Sequence, residues 1–285
     1  MKFIVNGTFA SYAEKILSAK KYYADYKSAA ITQAEFCAAM LADKSLAGVA
    51  GFHDIPRIAK TPANEKMPSE KIFGYLAANN LISAQDYNTM YDGFDKYREN
   101  IYKNYNHGEF ITYVYPEDER LLYAAAKIAR PKQLFMAGSY YGYLAVWAMQ
   151  AVHDTGGTAV FSDIDEEVCS LAKANFNNLG FRDCADICCE STSVLLAKRT
   201  EPIDMLILDA TGKSDDPRPE YRGKRIYGAF LHEAKHLLHK GAVIYIHNME
   251  PENPEMRPLV DGLREINAHG ENYDTFNGLG VYTVI

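Results

Sequence analysis

No uncharged apolar stretch in these 285 residues is long enough to span a bilayer, which excludes a transmembrane helix and a membrane partner. The opening MKFIVNGTFASYAEK has a short apolar patch but neither the apolar core nor the small-residue cleavage site of a secretory leader, so a cytoplasmic location is expected. Positive charge is not in excess. Thirty Lys and Arg against 37 Asp and Glu leave −7, a field that repels phosphate backbones and speaks against nucleic acid as a partner. Cysteine is scarce and odd in number, at five. Cys184, Cys188 and Cys189 form CxxxCC, without the paired CxxC knuckles of a zinc site. Reduced thiols on a buried strand and its exit are the expectation.

Strand alternation is missing from the first hundred residues. They read as helices: Ser11 to about Lys27, a run opened by Thr32 with Glu35 in capping-box spacing, Ser69 to Asn79, and Ala84 to Tyr105. Pro56, Pro62 and Pro68 punctuate a loop, and tyrosines are frequent, as suits helix packing with exposed hydroxyls. After residue 106 the pattern becomes regular. Apolar runs at 133–137, 158–162, 184–188, 203–208 and 242–246 alternate with helical segments beginning at Glu117, Tyr143, Glu166, Thr192, Tyr227 and Glu255. That alternation means a parallel sheet covered on both faces. NYDTF (272–276) and LGVYTVI (279–285), separated by Asn277 and Gly278, are expected to form a closing hairpin.

Ligands of an open α/β sheet bind at the carboxyl ends of its strands, near the point where strand order reverses. Four such ends carry informative residues. In Ala137-Gly138-Ser139-Tyr140-Tyr141-Gly142-Tyr143, Gly138 permits a sharp turn and Gly142 a close backbone approach, though any strand-to-helix turn can contain this spacing. Asp163, 25 residues beyond Gly138, is placed to take both hydroxyls of a ribose, while Asp165 suits a helix N-cap. Glu190, Ser191 and Thr192 follow the next strand and can border an adenine, although capping accounts equally well for Ser191. Asp209 ends IDMLILD, and His247-Asn248 ends AVIYIHN. An acid after six mostly apolar residues needs a ligand, a metal or a basic group facing it.

With these residues in place, the segment from Asn106 to Ile285 resembles S-adenosylmethionine (SAM)-dependent class I O-methyltransferases of the catechol O-methyltransferase type. The strings that carry the likeness are NHGEFITYVYPEDERLL, LFMAGSYYGYLAVWAM, AVFSDIDEEVCSLAKANF, IDMLILDATGK, GAVIYIHNM and NGLGVYTVI, about two-thirds of the chain. The resemblance implies an α/β, Rossmann-like seven-stranded sheet, parallel with a C-terminal antiparallel hairpin. Residues 106–285 would form the SAM-binding domain and 1–105 a helical cap that shapes the substrate region. It further implies that Gly138 and the Ser139–Tyr143 turn hold the methionine part of SAM. Asp163 would hold the ribose, and Glu190 to Thr192 would border the adenine. Asp209 would lie near the sulfonium, and Tyr113 and Tyr115 would lead into the cleft.

The sequence departs from the family at three points. Ala137 stands where the family has an acid. The family's Mg²⁺ trio of Asp, Asp, Asn reads Asp209, His247, Asn248, and an imidazole is a poor magnesium ligand, so either the divalent metal differs or none is bound. In the second case His247 is a candidate general base. Lys213, four residues after Asp209, matches the family's catalytic lysine only loosely.

His232-Glu233-Ala234-Lys235-His236 fits the zinc-protease pattern, but its helix should pack Phe230, Leu231, Ala234, Leu237 and Leu238 on the sheet and leave His232, His236 and His239 as a solvated stripe. The segment 211–225 reads equally as an exposed loop or as a lid. Tyr140, Tyr141 and Tyr143 either pack under the N-terminal helices or turn a ring to the sulfonium. The expected activity is methyl transfer to a small-molecule substrate, probed against two rivals: attack on the γ-carbon of SAM's amino-acid chain, releasing methylthioadenosine, and SAM binding without catalysis. A homodimer is compatible with the sequence.

Overall fold

The computed structural model describes residues 7–49, 52 and 54–285, and the side chains from residue 13 onward. Most of the N-terminal apolar patch therefore lies outside the described residues. Strand β1 (Gly7–Thr8) leads into α1 (Phe9–Leu17), α2 (Lys21–Lys27), α3 (Gln33–Ala42), α4 (Ile55–Ile58), α5 (Met67–Ala78), α6 (Ala84–Thr89) and α7 (Phe94–Asn104). The expected long helices are thus broken: residues 18–20 separate α1 from α2, and Gly93, in a left-handed conformation (φ 87°), separates α6 from α7. Thr32 and Glu35 form the anticipated reciprocal cap of α3. The first hundred residues do hold a strand. β1 pairs in parallel with β2 (Ile111–Thr112), a link too short to show as alternation.

The regular part runs α8 (Pro116–Ala129), β3 (Gln133–Ala137), α9 (Val146–Asp154), β4 (Thr158–Asp163), α10 (Glu166–Asn178), β5 (Ala185–Cys189), α11 (Thr192–Lys198), β6 (Ile203–Leu208), α12 (Ile226–Ala234), β7 (Leu238–His247), α13 (Arg257–Glu265), β8 (Ala268–Tyr273) and β9 (Leu279–Val284). The seven longer strands form one sheet in the order β5-β4-β3-β6-β7-β9-β8, parallel except for β9, which runs antiparallel to both β7 and β8. This is the expected Rossmann-like seven-stranded sheet with a C-terminal antiparallel hairpin. Successive residues of β3 point to opposite faces. Leu134 and Met136 join a core with α8, α9 and α10, and Phe135 and Ala137 join one with α12 and α13.

Three boundaries differ from the sequence reading. α12 stops at Ala234, short of the Leu237, Leu238 and His239 expected on that helix, and Gly241 lies inside β7 with φ 90°, where the register against β6 shifts. His239 is therefore on a strand and engages Asp204 at 2.8 Å, and His236 lies beyond the helix. That breaks the i, i+4 geometry of the zinc-protease pattern. Strand β8 begins at Ala268, and the hairpin joins Tyr273 to Leu279 through five residues. The cysteine strand β5 is the sheet's edge, with only Ile187 of its residues buried.

The helices before residue 106 pack in two groups. Ile72, Phe73, Phe94, Tyr97 and Ile101 share the core of the sheet, where Trp147 meets Phe94 and Tyr97 rings at 5.8 and 6.0 Å. Residues of α1 to α4 close around Phe36 and Met40 as a separate small core that reaches the rest of the chain through Tyr115. No helix among the described residues is long and apolar enough to cross a membrane.

Candidate active site

The chain lays down β3, β4 and β5 outward in one direction and then returns to the other side of β3 with β6. The reversal falls between β3 and β6, where crevices form in open α/β sheets. Gly138 stands there with φ 80°, and a Cβ on it would meet the Asp209 carbonyl oxygen at 2.5 Å. Only glycine lets the two strand ends lie this close. The Gly138 and Ser139 N–H groups both donate to the Ser162 carbonyl, folding the turn over the end of β4.

A cleft of about 620 Å³ opens at this point, lined by Gly138, Tyr140, Asp163, Glu190, Ser191, Thr192, Asp209 and the start of the 211–225 segment. Asp163 accepts the Tyr140 N–H on Oδ2 (2.8 Å) and the Ile164 and Asp165 N–H groups on Oδ1 (2.8 and 3.2 Å). Three backbone donors fix this carboxylate beside the cavity, two on Oδ1 and one on Oδ2, and leave Oδ2 a free lone pair. Asp165 caps α10, as its position implied. Ser191 sits at the N-cap of α11 but makes no capping bond, so its hydroxyl is free to serve the cleft. Thr192 is turned inward to Ser162 (2.6 Å), and Glu190 pairs with Lys198 (3.1 Å).

The tyrosine turn divides. Tyr140 is 40% exposed and faces the cleft, in a left-handed conformation (φ 49°) uncommon outside glycine and asparagine. Tyr141 is buried, its hydroxyl 2.9 Å from His107 Nδ1. Tyr143 is buried and donates to Glu119 (2.7 Å). Gly142 faces Phe176 and the Tyr105 hydroxyl, so its lack of a side chain serves packing against α10. Ser139 is buried beneath the turn.

Asp209 joins this cleft to a second of about 360 Å³, lined by Arg57, Tyr113, Tyr140, His247, Asn248 and Phe276 among others. The basic group that Asp209 requires is His247, whose Nδ1 donates to Asp209 Oδ1 at 2.9 Å. Its Nε2 lies 3.2 Å from Asp118 Oδ2. The two carboxylates outweigh the effect of burial and raise the imidazole to about 9. His247 is therefore a charged, doubly engaged group at neutral pH, which removes the reason to assign it as general base. Asp118 also accepts the Tyr115 N–H (2.9 Å) and the Asn277 side-chain amide (2.6 Å), tying α8 to the hairpin.

Asp118 belongs to a run that sequence reasoning missed. Glu117, Asp118, Glu119 and Arg120 open α8 and are all at most 3% exposed. Charges at a helix N-terminus ordinarily read as a solvated turn. Here Glu119 takes hydroxyls from Tyr102 and Tyr143, and burial pushes it up to about 8. Arg120 pairs with Glu65 and lies 4.2 Å from the Phe94 ring centroid. The second missed residue is Lys224. Its ammonium donates to Asn248 Oδ1 (2.8 Å), the Ala210 carbonyl (3.0 Å) and the Tyr227 hydroxyl (2.9 Å). Lys213, the lysine that sequence spacing suggested, is exposed on the wall of the larger cleft.

These bonds decide whether the trio fits a divalent metal. Asn248 Oδ1 already accepts from a lysine, and neither His247 nitrogen has a lone pair to offer. Asp209 and Asn248 each face a protein cation and an imidazole is a poor magnesium ligand, so Asp209, His247 and Asn248 do not fit a magnesium site. Tyr113 is 47% exposed in the smaller cleft, whereas Tyr115 is buried and lines a different cavity.

Residues 135–249 match a family model described as a methyltransferase domain. No curated protein matches in sequence. Similar solved structures include a methyltransferase from Geobacter sulfurreducens (17% identity, TM-score 0.47, 67% of this chain and 89% of that one). Another is an O-methyltransferase from Bacillus cereus in complex with S-adenosylhomocysteine (SAH) (15%, 0.46, 78% and 100%). A third is an SAH-bound methyltransferase from Podospora anserina (17%, 0.46, 68% and 88%). The matched segment, residues 135–249, runs from β3 to just past β7 and so contains the strand-order reversal and the larger cleft.

Proposed function

We propose that the chain uses SAM to methylate a small-molecule acceptor, with an oxygen as the favoured target. The observation that supports this most is the Asp163 carboxylate, held by three backbone amides beside a cleft at the reversal of strand order. Asp163 takes the ribose hydroxyls, Glu190, Ser191 and Thr192 border the adenine, and the Gly138–Tyr140 backbone meets the methionine part. That orientation brings the sulfonium near Asp209 and the Tyr140 ring, whose π face favours a cation by about 0.5–2 kcal/mol. The acceptor enters the smaller cleft past Tyr113, and its oxygen displaces the sulfur in line at the methyl carbon. Positioning supplies most of the acceleration. Asp209 Oδ2 takes up the acceptor's proton, while His247 and Lys224 hold Asp209 and Asn248 in place. The reading carries with it a cytoplasmic enzyme of small-molecule biosynthesis, and the charge of −7 argues against a nucleic-acid acceptor.

A second reading is favoured by the scarcity of a strong base in the smaller cleft, where His247 is already charged. An α-ammonium gives up its proton near pH 8, two units below a phenol. An amine, including SAM's own, therefore suits this site as nucleophile. Attack at the γ-carbon would break the carbon–sulfur bond, release methylthioadenosine and pass the amine proton to solvent. Mass spectrometry of the nucleoside formed from SAM by the purified protein, with and without candidate acceptors, separates the readings. SAH supports methyl transfer, and methylthioadenosine replaces it with γ-attack. Absence of calorimetric binding by SAM and SAH would sink both.

A further inference from the structure

A third cavity, of about 540 Å³, lies between α1 to α3 and the start of α8, apart from both clefts described above. The ring pair Tyr115–Phe276, with centroids 5.1 Å apart, stands between them, Tyr115 lining this cavity and Phe276 the Asp209 cleft. At its inner wall is Glu117, 2% exposed, whose Oε1 has no hydrogen-bond partner among the described residues. Thr61 Oγ1 is likewise buried without a partner on the same wall. Burial and the neighbouring Asp118 carboxylate raise this group well above its ordinary value, and a cation arriving from outside would let it ionise.

The rest of the lining says what kind of donor. Tyr23, Tyr26 and Phe36 present rings, with Tyr26 and Phe36 stacked at 4.4 Å. Of the charged residues, Arg98 is already committed to Glu65 through two 3.0 Å contacts. Glu14 stands exposed on the lining, and Lys27, also exposed and 5.9 Å from the Tyr23 ring centroid, is the remaining cation and acts on Glu117 through its charge without a hydrogen bond to Oε1. Aromatic faces together with an unpartnered carboxyl form the chemistry that captures an organic ammonium. We infer that this cavity is a second ligand site, which takes a small amine with an aromatic or aliphatic body and pairs its ammonium with Glu117. The next residue, Asp118, holds His247, so an occupant would bear on the scaffold of the reactive cleft without entering it.

Calorimetry on the full chain with phenethylamine, and with its neutral and anionic counterparts phenethyl alcohol and phenylacetate, tests this. The amine should bind at least tenfold more tightly than either counterpart. Glu117→Gln, close in shape, should remove that preference, and Glu14→Lys, at an exposed position, should weaken amine binding severalfold without changing Tm. SAH affinity should stay unchanged in both variants. No binding by the amine, equal binding of all three compounds, or a preference that survives Glu117→Gln would each overturn the inference. So would displacement of the amine by SAH, which would place it in the cofactor cleft.

Discussion

On the proposed reading, the cleft at the strand-order reversal is the adenosyl end and the smaller cleft beyond Asp209 the acceptor end, and the two are built on different principles. At the adenosyl end, the groups are backbone amides and short, partly exposed side chains at successive strand ends, with Asp163 held by three N–H donors from its own neighbourhood. At the acceptor end, the groups are three charged side chains and one amide from four distant segments. Asp118 comes from α8, Asp209 from the end of β6, His247 from β7 and Asn277 from the hairpin. The first end recognises a ligand with local geometry. The second is an electrostatic framework in which each charge depends on another, so substitutions should damage binding at one end and folding or turnover at the other.

The largest effect is expected from Asp118→Ala, which leaves His247, the Tyr115 N–H and Asn277 without their shared acceptor. Removing one partner of a buried pair costs about 3–5 kcal/mol, to be read by urea or thermal denaturation. A loss under 1 kcal/mol would show that the framework is not structural. Next is Asp163→Ala. Loss of its charge-assisted bonding to the ribose should weaken SAH by about 100-fold in calorimetry, with a fall in Tm smaller than that of Asp118→Ala, because the three orphaned N–H groups border an open cleft. His247→Gln should leave SAH affinity within a few fold and lower turnover about tenfold or more. Equal damage to affinity would erase the distinction between the two ends.

The pH response is smaller, and Glu119 and His247 contribute to its decline on the alkaline side. Folding raises Glu119 from 4.5 to about 8 and His247 from 6.5 to about 9. Both groups hold more protons folded than unfolded between those limits, so stability is greatest below the unfolded values and falls as pH rises through the folded ones. Denaturation midpoints should decline most steeply between about pH 6.5 and 8, where both contribute. Glu119→Gln should flatten the lower part of that decline. The smallest expected effect is that of a chelator: turnover and SAH affinity should be unchanged by EDTA, since Lys224 and His247 occupy the donors of the trio. A fall restored by Mg²⁺ would reverse that assignment.

The same contrast explains what could be read beforehand. β3, β4, β6 and β7 each contain a run of at least three apolar residues, so these strands and the glycine turn are legible in the sequence, as is the placement of Asp163 at the end of β4. Strand β8 was misplaced because AHGENY is polar and carries little of the apolar pattern that marks a strand. The end of α12 was overrun because Leu237 and Leu238 continue its apolar period into β7. Glu117 to Arg120 could not be recognised as buried from spacing alone. Their partners, Glu65, Tyr102, Tyr143 and His247, lie between 17 and 129 residues away, and a charged helix start is ordinarily solvated. Lys224 was hidden for a similar reason: the loop 211–225 folds back through a Gly212–Gly223 bridge, so the lysine nearest in sequence to Asp209 is not the one that meets Asn248.

Trp147 is the chain's single tryptophan. It sits fully buried where α7 docks onto the sheet, ringed by Phe94, Tyr97, Tyr102 and Tyr143, the last of these reaching back into the cofactor turn. Its fluorescence therefore comes from one known joint. An emission red shift would report loosening of that seam directly, and quenching on cofactor addition would follow the glycine turn without any label being attached.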